Sequence, residues 1–364
     1  MKSSKTNFTF NATSQPIGLW LLGISLLILA MVALGGVTRL TGSGLSIVEW
    51  QPIMGILPPF SYGEWAALFN KYQQTPEFIK VNFTMDLRAF KSIFWLEYFH
   101  RLLGRLLGLI FILPAIWFCL TGQLRGKVLY KIGGLFILGG LQGVMGWYMV
   151  KSGLVDIPWV SPYRLTAHLV LALVLYAFTL WIALQYLFPH KKESTYPHKK
   201  IHNIVLALTS LTICWGALVA GHKAGLIYNT FPLMGQKFFP NDLWHLRPLA
   251  TNFFENPVGV QFAHRVLAMI TLCSVGILWQ KVTFSNASQN QKKAATTMLA
   301  VAFIQVALGI TTLVLQVPLL GAILHQMGAF ILLTSVLWMR WICSQGAPSL
   351  QEPQTQAKNG PATI

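Results

Sequence analysis

The chain has 364 residues, of which 54% are hydrophobic and only 10% carry a charge. A soluble domain normally has about 25% charged residues, so the composition excludes a soluble enzyme and indicates an integral membrane protein. The net charge of +17 is concentrated in short loops and tails on one side of the predicted membrane, whereas the long loops on the other side hold most of the acidic residues. This is the positive-inside pattern, and it does not favour a nucleic-acid-binding protein.

Eight segments meet the requirement of about 20 mainly apolar residues for a membrane span. They are residues 17–36, 93–120, 129–150, 163–188, 202–221, 259–280, 294–316 and 319–343. The first is too long for a secretory signal and lacks a small-residue cleavage site, so we expect a retained helix. The charge pattern and the even number of spans predict that both termini are cytoplasmic. The N-terminal tail contains no arginine, unlike a mitochondrial transit peptide, and we expect a bacterial inner (plasma) membrane.

Short motifs recur in the two halves of the chain, in the same order and at nearly constant spacing. The matched residues are His100–Arg101 with His264–Arg265, Gln142 and Gly146 with Gln305 and Gly309, and His168 with His325. Such a pattern indicates an internal duplication. Because four helices return the chain to its starting side, the two copies run parallel. The sequence therefore predicts an all-α integral membrane protein with eight transmembrane helices in two pseudo-symmetric four-helix bundles.

A basic segment, HKKESTYPHKK, separates the two copies. We expect the N-terminal bundle to comprise residues 1–190 and the C-terminal bundle residues 201–345. Residues 346–364 are polar and are expected to form a flexible C-terminal tail.

Four of the nine histidines lie in the second, fourth, sixth and eighth predicted helices. They are His100, His168, His264 and His325. Each lies within roughly two turns of the start of its helix, counting 1.5 Å of rise per residue, so all four share one depth, with two in each copy. A lone histidine in a membrane helix more often hydrogen-bonds a neighbouring helix. Four at one depth, duplicated with the repeat, predict ligands instead.

The other five histidines, His190, His198, His202, His222 and His245, lie in or beside loops and are expected to be solvated. The four cysteines all lie within apolar segments without metal-ligand spacing, and we expect them to act as small hydrophobic residues.

Two facing histidines suit haem iron better than zinc. Zinc requires four protein ligands, or three and a water, and no cysteine or second carboxylate lies near either pair. Haem iron takes two axial ligands from opposite faces of a flat ring, and a four-helix bundle offers such a slot. Arg101, Arg105 and Arg265 are candidates to pair with the haem propionates. An arginine directly after a histidine points about 100° away from it, so Arg101 and Arg265 serve packing or topology in the alternative interpretation.

The duplication is broken at one position beside the histidines. Glu97 stands three residues before His100, on the same helical face, whereas Gln261 stands three residues before His264. Two haems that only transfer electrons would not need this difference. A carboxylate beside one site alone indicates proton-coupled chemistry in the first copy.

With these motifs the chain resembles the haem A synthase family, membrane enzymes that oxidise the C8 methyl group of haem O to a formyl group. The resemblance runs from GGVTRLTGSGLS through EYFHRLLGR and TAHLVLA to QFAHRVLA and LHQMGA. It implies that the four histidines are axial ligands of haem iron and that Glu97 is catalytic. It further implies haem O as substrate in the first bundle and haem b as cofactor in the second. Some members carry a cysteine pair in the first outer loop, but residues 37–92 contain no cysteine.

The resemblance also implies partners. They are haem O synthase as substrate donor, cytochrome oxidase assembly factors, an electron acceptor that the sequence does not identify, membrane lipid, and further copies of the chain in a homo-oligomer. The alternative function is a di-haem cytochrome b-like electron carrier, which explains the four histidines equally well but not the Glu97/Gln261 difference. A transporter would need a polar path across the membrane, whereas the ionisable residues here cluster at one face.

Overall fold

The computed structural model describes residues 15–51, 54–188 and 196–344. In these ranges the regular secondary structure consists of α-helices and short 3-10 turns. The α-helices are α1 (Gln15–Leu40), α2 (Tyr62–Gln73), α3 (Pro76–Lys80), α4 (Leu87–Leu120), α5 (Lys127–Lys151), α6 (Pro162–Leu187), α7 (Lys199–Gly221), α8 (Pro257–Thr283), α9 (Gln289–Val314) and α10 (Leu319–Ser344).

Eight of these helices, α1 and α4 to α10, are long and apolar enough to cross a membrane. Each corresponds to one predicted segment, which confirms the all-α, eight-span membrane protein. The remaining two, α2 and α3, lie in the first long loop and belong to no span. The predicted tail at 346–364 lies outside the described residues, as does His190.

Local sequence signals decide where the spanning helices begin. The Asp86 side chain accepts a hydrogen bond from the Ala89 amide and so starts α4 six residues before the apolar run. Asn256 caps α8 and is followed by Pro257 at the first helical position, where a missing N–H costs nothing. Ser288 and Gln291 form a reciprocal capping box at the start of α9. These caps lie outside the hydrophobic segments, so hydropathy alone misplaces the boundaries.

The spanning helices pack in two rings of four. In the first ring α1 contacts α4 and α6, and α5 completes it by contacting α4 and α6. In the second ring α7 contacts α8 and α10, and α9 contacts α8 and α10. The rings meet through two equivalent contacts, α6 with α7 and α10 with α1, and through a contact of α6 with α10 between them. This is the arrangement that a parallel repeat with a two-fold axis along the membrane normal requires.

The interface between the rings is closely packed. Tyr176 on α6 and Phe330 on α10 are both buried and lie edge to face, with ring centroids 5.4 Å apart. The Tyr176 hydroxyl is 2.6 Å from the Thr334 hydroxyl of α10. Because lipid is as apolar as these side chains, such packing and hydrogen bonds, rather than the hydrophobic effect, drive association of membrane helices.

The first long loop folds back onto the extension of α4. An aromatic cluster joins α2 to α4, in which Trp65 and Tyr72 pack against Phe90 and Phe94. This packing holds the start of the loop, residues 43–51, beside the part of α4 that carries His100.

One histidine is wrongly predicted. His202 is fully buried rather than solvated, and its Nε2 lies 3.0 Å from the Val336 carbonyl of α10. The reason is that α7 begins at Lys199, three residues earlier than hydropathy indicates. His202 therefore lies in the first helical turn, on the face that packs against the neighbouring helix.

Candidate functional site

The four predicted ligand histidines lie in two facing pairs at one end of the rings. His100 on α4 faces His168 on α6, and His264 on α8 faces His325 on α10, in each case across the ring rather than between neighbouring helices. His100 and His168 are close enough to interact electrostatically. The His264 and His325 rings are perpendicular, with centroids 6.4 Å apart.

The spacing of the second pair fits two ligands of one iron. Metal–imidazole bonds of about 2 Å, with each ring centre about 1 Å beyond its nitrogen, place the two centroids about 6 Å apart. Within the part of the chain that the structure describes, no group of three or more His, Cys, Asp or Glu side chains could hold a metal ion. Two facing imidazoles are the donor set that a bis-histidine haem takes, whereas zinc requires four ligands, or three and a water.

A glycine on the neighbouring helix makes room for each of the four rings. Without a side chain, the glycine backbone approaches the Cε1 edge of the imidazole. A methyl group built on the glycine would lie 3.0 Å from that atom for Gly35 and His100, 3.2 Å for Gly146 and His168, 3.2 Å for Gly216 and His264, and 2.7 Å for Gly309 and His325. Since the Nδ1 atom of His100 is also buried, the accessible atoms of that ring are on its Nε2 side.

Two glutamines fix the histidines of α6 and α10 at the backbone. Gln142 on α5 donates to the His168 carbonyl at 3.1 Å, and Gln305 on α9 donates to the His325 carbonyl at 2.9 Å. Each glutamine lies four residues before the glycine that contacts the same histidine ring, on one helical face. The sequence repeat contained both residues of this motif, but it carried no indication that they position the ligands.

Glu97 is buried, 3% exposed, and forms the centre of a hydrogen-bonded clasp on the first outer loop. Its Oε2 accepts from the Ser46 hydroxyl at 2.7 Å and from the Ile47 amide at 2.8 Å. Its Oε1 accepts from Nε and from one terminal nitrogen of Arg101, at 3.0 and 2.7 Å. These four bonds use all the acceptor sites of a carboxylate, so the ionised form is fully satisfied one turn from His100.

The second half repeats the clasp with an amide in place of the carboxylate. Gln261 is also 3% exposed; its Oε1 accepts from Arg265 at 2.9 Å, and its Nε2 donates to the Ala224 carbonyl at 2.7 Å. The arginine of each half also donates to an equivalent loop carbonyl. Arg101 reaches Ile47 and Arg265 reaches Tyr228, both at 2.8 Å.

The three predicted propionate partners all contact loop carbonyls. Arg101 donates additionally to the Glu49 carbonyl at 3.0 Å, Arg105 to the Gln51 carbonyl at 2.9 Å, and Arg265 to the Leu233 carbonyl at 3.3 Å. The guanidinium of Arg101 therefore serves the loop clasp. Arg105 lines a cavity of about 410 Å³ between the first outer loop, α2 and α4.

A second buried carboxyl group lies in the same loop. Glu77 on α3 accepts a hydrogen bond from the Tyr72 hydroxyl at 3.0 Å, and Asn82 donates to that hydroxyl at 2.7 Å. Burial raises the pKa of Glu77 to about 7, and the negative charge of Glu97 adds to the effect. The loop above the first histidine pair thus contains a carboxyl group that titrates near neutrality, which no sequence motif indicated.

Comparison with known proteins identifies the family. The family model described as COX15-CtaA, cytochrome oxidase assembly protein, matches residues 18–337. A "Heme A synthase" of Nitrosospira multiformis is 48% identical over 92% of this chain and 95% of its own length. One from Paramagnetospirillum magneticum is 47% identical over 90% of this chain and 94% of its own length.

The similarity extends to animals. The "Heme A synthase COX15" of Homo sapiens is 45% identical over 90% of this chain and 82% of its own length. Both the family model and these relatives cover all four histidines and both loop clasps. The chain belongs to the cytochrome oxidase assembly protein family that includes the heme A synthases.

Proposed function

We propose that this membrane enzyme is a haem A synthase, which oxidises the C8 methyl group of haem O to a formyl group and so provides haem A for terminal oxidases. The observation that carries the proposal is a duplicated histidine pair with a carboxylate, Glu97, beside one copy only. In the net reaction one methyl group and one water give one formyl group, four protons and four electrons. The electrons pass to an acceptor that remains to be identified.

We assign haem O to His100 and His168 as the substrate and haem b to His264 and His325 as the resident cofactor. Haem b would supply a one-electron redox centre in the second bundle. The protein residues present two imidazoles in a fixed orientation, held by glycine contacts on one side and, for His168 and His325, by a glutamine at the backbone. On this assignment the domains are residues 1–190, which bind substrate, and residues 201–345, which bind haem b.

Glu97 is the proposed catalytic residue. His100 and His168 would both hold the substrate iron, which disfavours dioxygen activation there and favours water as the source of the formyl oxygen. In the clasp the Glu97 carboxylate lies one turn from His100 and is paired with Arg101. From that position it stabilises positive charge that develops on the substrate, or accepts a proton from it when one bond of the clasp opens.

The arginines complete the site at the membrane surface. Arg101 and Arg105 both line the cavity under the first long loop, and Arg105 is the better placed for a propionate because Arg101 is paired with Glu97. Arg101 and Arg265 act through the loops that they fasten, in addition to any contact with a propionate. The positive-inside pattern supports cytoplasmic termini, and the proposed location is a bacterial inner membrane. Haem O synthase is the proposed substrate donor and cytochrome oxidase assembly factors are proposed partners.

The haems extracted from the purified protein test the proposal. Haem b together with haem O or haem A is the expected result, since only a synthase holds both substrate and product. Haem b alone, at two per chain, would instead identify a di-haem electron carrier.

A further inference from the structure

The two rings differ in how closely their second and third helices pack. In the second ring α8 and α9 pack along much of their length, and α9 buries Ala295, Met298 and Ala302. In the first ring α4 and α5 are in contact over a much shorter length. An apolar groove of about 280 Å³ lies between them, lined among others by Phe111 and Ala115 of α4 and by Phe136 of α5.

One pair of positions accounts for much of this difference. The step of 164 residues from His100 to His264 relates Ala115 to Trp279, and the step of 163 from Gln142 to Gln305 relates Gly133 to Thr296. The Trp279 indole donates to the Thr296 hydroxyl at 3.2 Å and so bridges α8 and α9.

The first ring has nothing comparable at this level. Ala115 offers only a methyl group, and Gly133 offers a hydrogen atom; a methyl group built on Gly133 would meet no atom within 4 Å. Both residues line the groove. Two small residues thus line the groove at the positions where the other half has a hydrogen-bonded bridge.

We propose that this α4–α5 groove binds the farnesyl chain of haem O, an inference that rests on the proposed function. Phe111 lies eleven residues beyond His100, or about 16 Å along the helix, and Ala115 about 22 Å. An extended isoprenoid chain that leaves the edge of a ring held at His100 reaches this part of α4. The lining is apolar apart from the Cys119 thiol, as a hydrocarbon ligand requires.

The groove would also determine which of the two haems binds at each site. Haem O differs from haem b in carrying a hydroxyethylfarnesyl group where haem b has a vinyl group. The open α4–α5 groove accommodates such a chain, whereas the Trp279–Thr296 bridge occupies the equivalent space in the second ring. Specificity for the substrate then resides in the groove, at a distance from the histidines.

Moving the bridge from one ring to the other tests the proposal. In the double variant Ala115→Trp with Gly133→Thr, the groove is filled by the side chains that close the second ring. We expect haem b to be retained at the wild-type level and bound haem O to fall by about tenfold or more, since a single methylene in an apolar pocket is already worth about tenfold. Ile137→Trp is the control, because it places a tryptophan at an exposed position of α5 outside the groove.

Titration of the purified protein with haem O and with haem b (protohaem) measures the contribution of the farnesyl chain to binding. The double variant should bind haem O no better than protohaem at the first site, whereas the wild type should prefer haem O. Equal preference for haem O in both proteins would overturn the inference and leave the groove as a surface for lipid acyl chains. Absence of haem O and haem A from the wild type itself would instead refute the proposed function.

A reciprocal variant covers the case in which the double variant does not fold. Trp279→Ala with Thr296→Gly opens the contact between α8 and α9. We expect the second site then to accept haem O in addition to haem b. Continued exclusion of haem O from the opened ring would contradict the assignment of the bridge as the selective element.

Discussion

The Glu97→Gln variant separates the chemical role of the carboxylate from its role in the loop clasp. Gln keeps an acceptor for Arg101, as Gln261 shows for Arg265, but it places an NH2 group against the Ser46 hydroxyl and the Ile47 amide. The Ile47 amide loses its acceptor, a hydrogen bond to a charged group worth about 1.5–3 kcal/mol, whereas the Ser46 hydroxyl can turn to accept from the new NH2 group. The loop should loosen while the rings, which do not depend on it, still assemble.

We expect Glu97→Gln to keep both haem sites and to lose haem A formation by about 10²-fold or more, as removal of a positioned base or charge does. The assay is haem content and the haem O to haem A ratio in membranes that express the variant. Ser46→Ala measures the clasp alone, because it removes one bond to Oε2 and leaves the charge in place. That loss costs the clasp about 1.5–3 kcal/mol, but because the carboxylate remains, we expect haem A formation to fall much less than in Glu97→Gln.

A comparison with the second half completes this test. In Gln261→Glu a carboxylate replaces the amide that donates to the Ala224 carbonyl. The substitution therefore loosens the second clasp without altering Glu97. It should reduce haem b retention and leave haem O bound. Full haem A production by Glu97→Gln, or equal losses in Glu97→Gln and Ser46→Ala, would reduce Glu97 to a loop anchor and refute the catalytic assignment.

Three further predictions follow from the site. His264→Ala or His325→Ala should abolish the low-spin haem b spectrum of a protein that still inserts, and a wild-type spectrum would remove that residue from the ligands. Gly309→Ala should perturb the same spectrum by pushing the His325 ring, whereas Gly276→Ala, with no atom within 4 Å of the added methyl, should not. Because burial raises the pKa of Glu77 from 4.5 to about 7, the folded state binds its proton more tightly than the unfolded state. Stability should therefore fall as pH rises from about 4.5 to about 7, and thermal unfolding of Glu77→Gln should lack this component.

The fold was largely predictable from the sequence because membrane spans depend on composition over long windows. All eight spans were placed, but their ends were not, since caps such as Asp86 and Asn256 lie outside the apolar runs. The misassignment of His202 has the same origin. A helix that starts three residues earlier turns a loop histidine into a buried contact with α10.

The sequence predicted where the candidate site residues lie when this depends on position along a helix, and it missed contacts that are long-range. Equal depth of the four histidines follows from counting residues, and the structure brings them into facing pairs. The Glu97 clasp involves Ser46 and Ile47, some fifty residues away, and no periodicity relates them. The glycine contacts were visible only as a repeat, because a glycine that makes room for a ring leaves no chemical signature.

The residues that differ between the two halves indicate different ligands rather than two equivalent haems. The clasp arginines, the glycine contacts and the glutamines are repeated, so the scaffold that presents two imidazoles is common to both rings. The differences fall at opposite ends of one helix pair: Glu97 against Gln261 beside the histidines, and Ala115 with Gly133 against Trp279 with Thr296 far from them. A carrier with two identical haems needs neither difference. One ligand accounts for both the carboxylate beside the histidines and the groove at the far end of α4 and α5. It is a haem that carries an isoprenoid chain and is oxidised in the first ring.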